Sequence, residues 1–133
     1  MNQVFRKESE LFDFIKKEHI HDLQTCEDNY SFYDCYSVEK ELDIELKCRH
    51  THYDELLIEK MKYDHLLERA LEFRTRPLYI NSTPFGVYVF DLSRVPAPNW
   101  EERKMPSTTY FSNREKIIKV VGYLHIKDSK QLL

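Results

Sequence analysis

A chain of 133 residues, 41% hydrophobic and 32% charged, has the length and balance of one domain spanning residues 1–133 around a single core. A net charge of −3 argues against coating nucleic acid through a broad positive field, and 2 glycines exclude a Gly-rich phosphate loop, which sets aside the dinucleotide- and triphosphate-binding enzymes that depend on one. Three cysteines without a Cys-x-x-Cys pair suggest neither a disulfide framework nor a zinc ribbon, and with no apolar run near ~20 residues and no apolar leader stretch the expectation is a cytoplasmic protein without a membrane partner.

The charge is unevenly spread. Residues 1–45 hold 5 Lys/Arg against 12 Asp/Glu, and residues 46–133 hold 15 against 11. An acidic site beside a basic surface fits this asymmetry, as do ordinary solvated faces.

Leu11, Phe12 and Ile15 recur at helical spacing and predict an amphipathic helix over 8–18. Glu8, three before Leu11 and four before Phe12, projects toward the buried side of its first turn. There the helix dipole favours a carboxylate, whether or not that carboxylate has a further role. Residues 20–29 read as a loop. Residues 30–38 are aromatic and β-branched, and 42–48 alternate apolar with charged, which predicts a hairpin turning through Glu39 and Lys40. A short strand at 56–58 enters a helix over 60–73, whose apolar stripe takes in Met61, His65, Leu66, Leu67, Ala70, Leu71 and Phe73. Strands over 77–81 and 85–92 flank a turn at Asn81 to Pro84. Pro96, Pro98 and Pro106 mark an extended loop, and residues 116–126, β-branched and apolar, read as a last strand with a helix as the alternative. The order of elements is that of a mixed α/β domain.

With Glu39 and Lys40 at the hairpin tip, Asp34 faces Glu45, Tyr36 faces Asp43 and Phe32 faces Lys47. Tyr33, Cys35, Leu42, Ile44, Leu46 and Cys48 fall on a core side, and Asp34, Tyr36, Asp43, Glu45 and Lys47 on the other. Opposed side chains start about 5 Å apart, so two carboxylates there repel unless they share a cation. Mg²⁺ takes few carboxylates and keeps several waters, and Asp34, Glu45 and a backbone carbonyl such as that of Leu46 suit it. Lys47 on the same face is placed to orient or deprotonate a water, or to meet charge on phosphorus. The plainer alternative is an exposed hairpin face on which Lys47 balances Glu45.

Asp34 followed eleven residues later by Glu45-Leu46-Lys47 resembles the signature of the PD-(D/E)xK nucleases, where an Asp on one strand and an acid-x-Lys on the next make the active site. Phe32-Tyr33 stands where that family's proline precedes the Asp. The stretches Asp43-Ile-Glu-Leu-Lys-Cys-Arg49, Tyr53-Asp-Glu-Leu-Leu-Ile-Glu59, Lys62-Tyr-Asp-His-Leu-Leu67 and Pro77-Leu-Tyr-Ile-Asn81 are similar to small phage or bacterial members of this restriction-endonuclease-like class. The resemblance covers residues 30–92. It implies an α/β fold, three-layer α/β/α with a central mixed β-sheet, and a Mg²⁺- or Mn²⁺-dependent endo- or exonuclease acting on DNA or, as the alternative nucleic acid, RNA. It also implies catalytic residues Asp34, Glu45 and Lys47 and metal ligands Asp34 and Glu45. In that superfamily a glutamate of the first helix often completes the metal site; Glu8 is the candidate by its face and Glu10 the fallback. The rival expectation is a module that keeps the fold without catalysis and binds nucleic acid or a protein partner.

Arg49, Lys60 and Lys62, interleaved with Tyr53 and Tyr63, are candidate backbone-phosphate contacts; Glu59, Asp64, Glu68 and Glu72 nearly balance them, as on any solvated helix. Cys48, His50 and His52 alternate along one strand without a fourth ligand at zinc spacing. Arg103, Lys104, Arg114, Lys116 and Lys119 against Glu115 mark a basic C-terminal arm, suited to nucleic acid or to a homodimer contact around Tyr110 and Phe111.

Overall fold

A computed structural model describes residues 5–26, 34–106 and 116–133. Helix α1 is Glu8–Glu18, the predicted segment. The Glu10 carboxylate accepts the backbone N–H groups of Arg6 (3.0 Å) and Lys7 (3.1 Å), which satisfies donors the helix itself cannot. Leu11 and Ile15, both fully buried, anchor the helix, and each contributes on the order of 2 kcal/mol from burial alone.

The chain continues through β1 (Gln24–Thr25), β2 (Cys35–Ser37), β3 (Leu42–Cys48), β4 (Glu55–Glu59), α2 (Lys60–Phe73), β5 (Arg76–Thr83), β6 (Gly86–Asp91), β7 (Glu101–Pro106), β8 (Lys116–His125), a 3₁₀ turn at Ile126–Asp128 and β9 (Lys130–Gln131). Six strands form one sheet in the order β1-β2-β3-β5-β6-β9, and β4-β8-β7 form a second. The pair β3 and β5 is parallel and the other pairs are antiparallel, so the central sheet is mixed. A parallel pair needs a long crossover, and β4 with α2 supplies it.

The hairpin register is the predicted one, with Cys35↔Ile44, Tyr36↔Asp43 and Ser37↔Leu42. Its turn runs through Glu41 in the left-handed region, φ 56°. Phe32, expected opposite Lys47, and Tyr33 lie outside the described residues, as do Tyr110, Phe111, Arg114 and Glu115 of the C-terminal arm.

Three expectations are corrected. First, the charged face of β3 is not solvated. One face of the central sheet packs Ile44, Leu46 and Ile80 against α1, while Tyr79, Tyr88 and Phe90 on the other meet Tyr63 and Leu66 of α2 and Leu56, Ile58 and Leu124 of the second sheet. Central strands bordered by a parallel neighbour are covered on both sides. Asp43 and Glu45 are accordingly 1% and 3% exposed. Second, the apolar stripe of α2 is narrower than expected: Tyr63 and Leu66 are buried, whereas Met61, Leu71 and Phe73 are exposed. Third, β7 was expected to be loop. Glu-Glu-Arg-Lys-Met-Pro lacks strand alternation because it is the exposed edge of the second sheet and buries neither face. The short strands β1 and β9 likewise carry no pattern of their own and are made by their neighbours.

No helix among the described residues is long and apolar enough to cross a membrane.

Candidate active site

Asp34 sits one residue before β2, opposite Glu45 in the hairpin register. Its backbone N–H donates to the Ile44 carbonyl (2.9 Å), and its carboxylate accepts the backbone N–H of Leu46 at 2.8 Å. That bond holds the carboxylate across the strand carrying Glu45 and Lys47. Asp34 is half-buried, Glu45 buried and Lys47 half-buried at the end of β3.

Glu45 meets the Lys62 ammonium of α2 at 2.5 Å. Its carboxyl is nevertheless pushed up to about 7, by burial first and by the repelling charge of Asp34 second, with Lys62 and Lys47 pulling the other way. Glu8, at the exposed start of α1, belongs to the same electrostatic cluster. Its carboxyl is raised by desolvation and by Asp34, and lowered by Lys47 and Lys62. The Lys62 ammonium is held above its ordinary value by Glu45, against the effect of burial. Asp34 and Glu45 thus face each other across the hairpin with Lys62 on Glu45, while Glu8 and Lys47 act on them through their charge. Glu10, the fallback, is bound to the backbone of its own helix start.

The sequence-predicted cationic rim has other partners. Lys62 holds Glu45, Lys60 pairs with Asp64 one turn on (2.6 Å), and Arg49 turns inward. The Arg49 guanidinium donates from Nε to Asn81 Oδ1 (2.7 Å) and from Nη2 to the Leu57 carbonyl (2.5 Å) and the Tyr79 hydroxyl (3.0 Å). Asp43, two residues before Glu45 on the same face, accepts from Arg69 Nε (3.0 Å) and Thr75 Oγ1 (2.6 Å).

Sequence reasoning passed over Asn81. It lies beside Lys47 in the parallel register and is fully buried, and its Nδ2 has no hydrogen-bond partner among the described residues. The bond from Arg49 Nε requires the amide oxygen on that side, so the orientation is set and Nδ2 carries two unused donors. The long-range parallel pairing of β3 with β5 places it beside Lys47, and no local sequence pattern signals that pairing.

The donor set suits a hard divalent cation. Carboxylate oxygens match Mg²⁺ or Mn²⁺, and a divalent cation would relieve the repulsion between Asp34 and Glu45. Among the described residues no three His, Cys, Asp or Glu side chains gather closely enough to enclose a metal by themselves.

No protein-family model matches the chain, and no curated protein matches it in sequence. A solved structure does. The Holliday junction resolvase Hjc of the archaeal hyperthermophile Archaeoglobus fulgidus superposes with a TM-score of 0.60, over 96% of this chain and 89% of that one, at 14% identity. The likeness is one of architecture: this chain has the restriction-endonuclease-like fold, α/β with a central mixed sheet.

Proposed function

We propose that the protein is a metal-dependent nuclease that hydrolyses phosphodiester bonds in DNA. The observation that carries this reading is the pairing of Asp34 with Glu45 across the hairpin, with Lys47 two residues on along the same strand, in a fold shared with a Holliday junction resolvase. Asp34 and Glu45 would hold Mg²⁺ or Mn²⁺, with Glu8 completing the set. A cation bound there supplies Lewis-acid charge and a more acidic water. The Leu46 N–H keeps the Asp34 carboxylate turned toward Glu45. Lys47 orients the attacking water or meets the charge that develops on the phosphate.

Two measurements test the reading. Calorimetric titration of Mg²⁺ is expected to show binding to the wild type and its loss in Asp34→Ala. Single-turnover cleavage of a labelled duplex under saturating Mg²⁺ is expected to fall on the order of 10²-fold in Lys47→Ala while the metal still binds. A wild type that binds no metal returns the protein to the class of non-catalytic binding modules. Equal rates in wild type and Lys47→Ala remove that lysine from the reaction.

A further inference from the structure

A cavity of about 690 Å³ opens beside β4, the edge strand of the second sheet. Its walls include Arg49, Tyr53, Leu57, Arg103, Tyr123 and His125. Cross-strand pairing of Leu57 with Tyr123 and of Glu55 with His125 brings these side chains to one face. The volume lies within the ~300–1,000 Å³ of ligand sites.

What singles it out is that neither of its two arginines is ion-paired among the described residues, although Asp54 and Glu55 line the same cavity. Arg49 is half-buried, and its guanidinium meets only neutral oxygens, those of Asn81, Leu57 and Tyr79. Arg103 meets the Tyr123 hydroxyl (2.5 Å). Neither guanidinium forms an ion pair among the described residues, although other surface cations such as Lys60, Arg76 and Lys119 do. Arg49, partly desolvated and held by neutral acceptors, retains an unmet demand for an anion, and Arg103 adds an exposed cation in the same cavity. The His125 ring accepts the Lys127 N–H at Nδ1 (3.1 Å), which leaves the neutral ring's own proton on Nε2 as another donor. The rings of Tyr53, largely exposed, and Tyr123 give apolar faces beside these donors. Asp54 and Glu55 at the rim are acceptors of the kind an exocyclic amino group of cytosine or adenine requires; Asp54 already holds His52 at 3.1 Å.

We infer that this cavity takes one phosphorylated nucleoside, with its phosphate on Arg49 and Arg103 and its base stacked on tyrosine, either free or as part of a single DNA strand. The inference deepens the nuclease reading and rests on it for its link to cleavage. Arg49 follows Lys47 by two residues at the end of β3, about 7 Å along an extended chain, so a strand leaving the carboxylate cluster reaches the cavity within a few nucleotides.

The test uses the full-length chain without metal. Binding of a pentamer of deoxycytidylate, of dCMP and of inorganic phosphate is measured by calorimetry for wild type, Arg103→Gln and Tyr123→Leu. Arg103 is exposed on an edge strand, so its variant is expected to fold, and a thermal melt verifies this. Each substitution is expected to weaken the pentamer about tenfold. A pentamer at least tenfold tighter than dCMP assigns the cavity to a strand, and equal affinities assign it to free nucleotides. Binding that neither substitution alters, no binding of either nucleotide ligand, or phosphate alone binding as well as dCMP overturns the inference. Duplex cleavage with Mg²⁺ is followed in parallel. A wild type that cleaves while the cavity fails these tests refutes the cavity alone, and one that fills the cavity but never cleaves refutes the nuclease reading alone.

Discussion

Asp43 and Glu45 stand two residues apart on one face of β3, both buried and both met by a cation from α2, yet their surroundings differ in kind. Asp43 has two directed donors, the Arg69 guanidinium and the Thr75 hydroxyl, and pairs across the hairpin with Tyr36 rather than with an acid. Glu45 has Lys62 on one oxygen and faces Asp34, with Glu8 near by. The first is a closed network that fastens α2 to the sheet. The second keeps unmet repulsion in a place of low dielectric. The contrast separates an acid fastened into the fold from the acid proposed to hold the metal more sharply than burial does, because burial is the same for both.

The largest effect expected from this contrast is on folding. Asp43→Ala leaves Arg69 and Thr75 without their shared acceptor and is expected to cost about 3 kcal/mol, read from urea unfolding, with Mg²⁺ affinity unchanged. If Asp43→Ala instead abolishes metal binding in protein that remains folded, the two acids form one site and the distinction fails.

An opposite sign is expected next door. The Glu45 carboxyl titrates near 7 in the folded chain and near 4.5 in the unfolded one. The folded state therefore holds the proton more tightly; the stability this contributes is fully present below about pH 4.5 and is lost as pH rises through about 7. Glu45→Gln keeps the neutral shape at every pH. In chelator it is expected to exceed the wild type by on the order of 2 kcal/mol at pH 8 and to match it below about pH 4.5. A variant no more stable than wild type at pH 8 would mean that Lys62 already neutralises Glu45.

Much of this contrast was legible in the sequence, and the part that was not has a physical cause. The helix over 8–18, the hairpin register and the strand-helix passage at 56–73 follow from local periodicity, and all three stand in the structure. The pairing of Asp34 with Glu45 is arithmetic on that register. Local pattern is silent on what covers a strand face: Asp43, Glu45 and Lys47 read as a solvated stripe until β4 and α2 cross over them. The same crossover turned Arg49 inward, placed Lys62 on Glu45 and set Asn81 beside Lys47 through a pairing that joins residues 34 apart in sequence. Such contacts leave no periodic trace. Nor does β7, whose partner alone makes it a strand.

The smallest expected effect concerns Lys62, and its sign changes with pH. Its ammonium lies 2.5 Å from the Glu45 oxygen that a cation would take, so the two compete, and Lys62→Met removes the competitor. The same change also removes a charge that lowers the Glu45 carboxyl, so Glu45 then holds its proton to a higher pH, and that proton competes in its turn. At pH 8.5 the first effect prevails, and Mg²⁺ affinity in Lys62→Met is expected to rise several-fold over wild type. Toward pH 6 the second grows, and the advantage is expected to shrink and vanish. Calorimetric titrations at pH 6, 7 and 8.5 on both proteins read the ratio directly. A ratio that rises with pH identifies Lys62 as the counter-ion of the metal-free site. A loss of affinity in Lys62→Met at every pH would show instead that the lysine positions Glu45 for its ligand, and Glu45 would then resemble Asp43 more closely than their surroundings indicate.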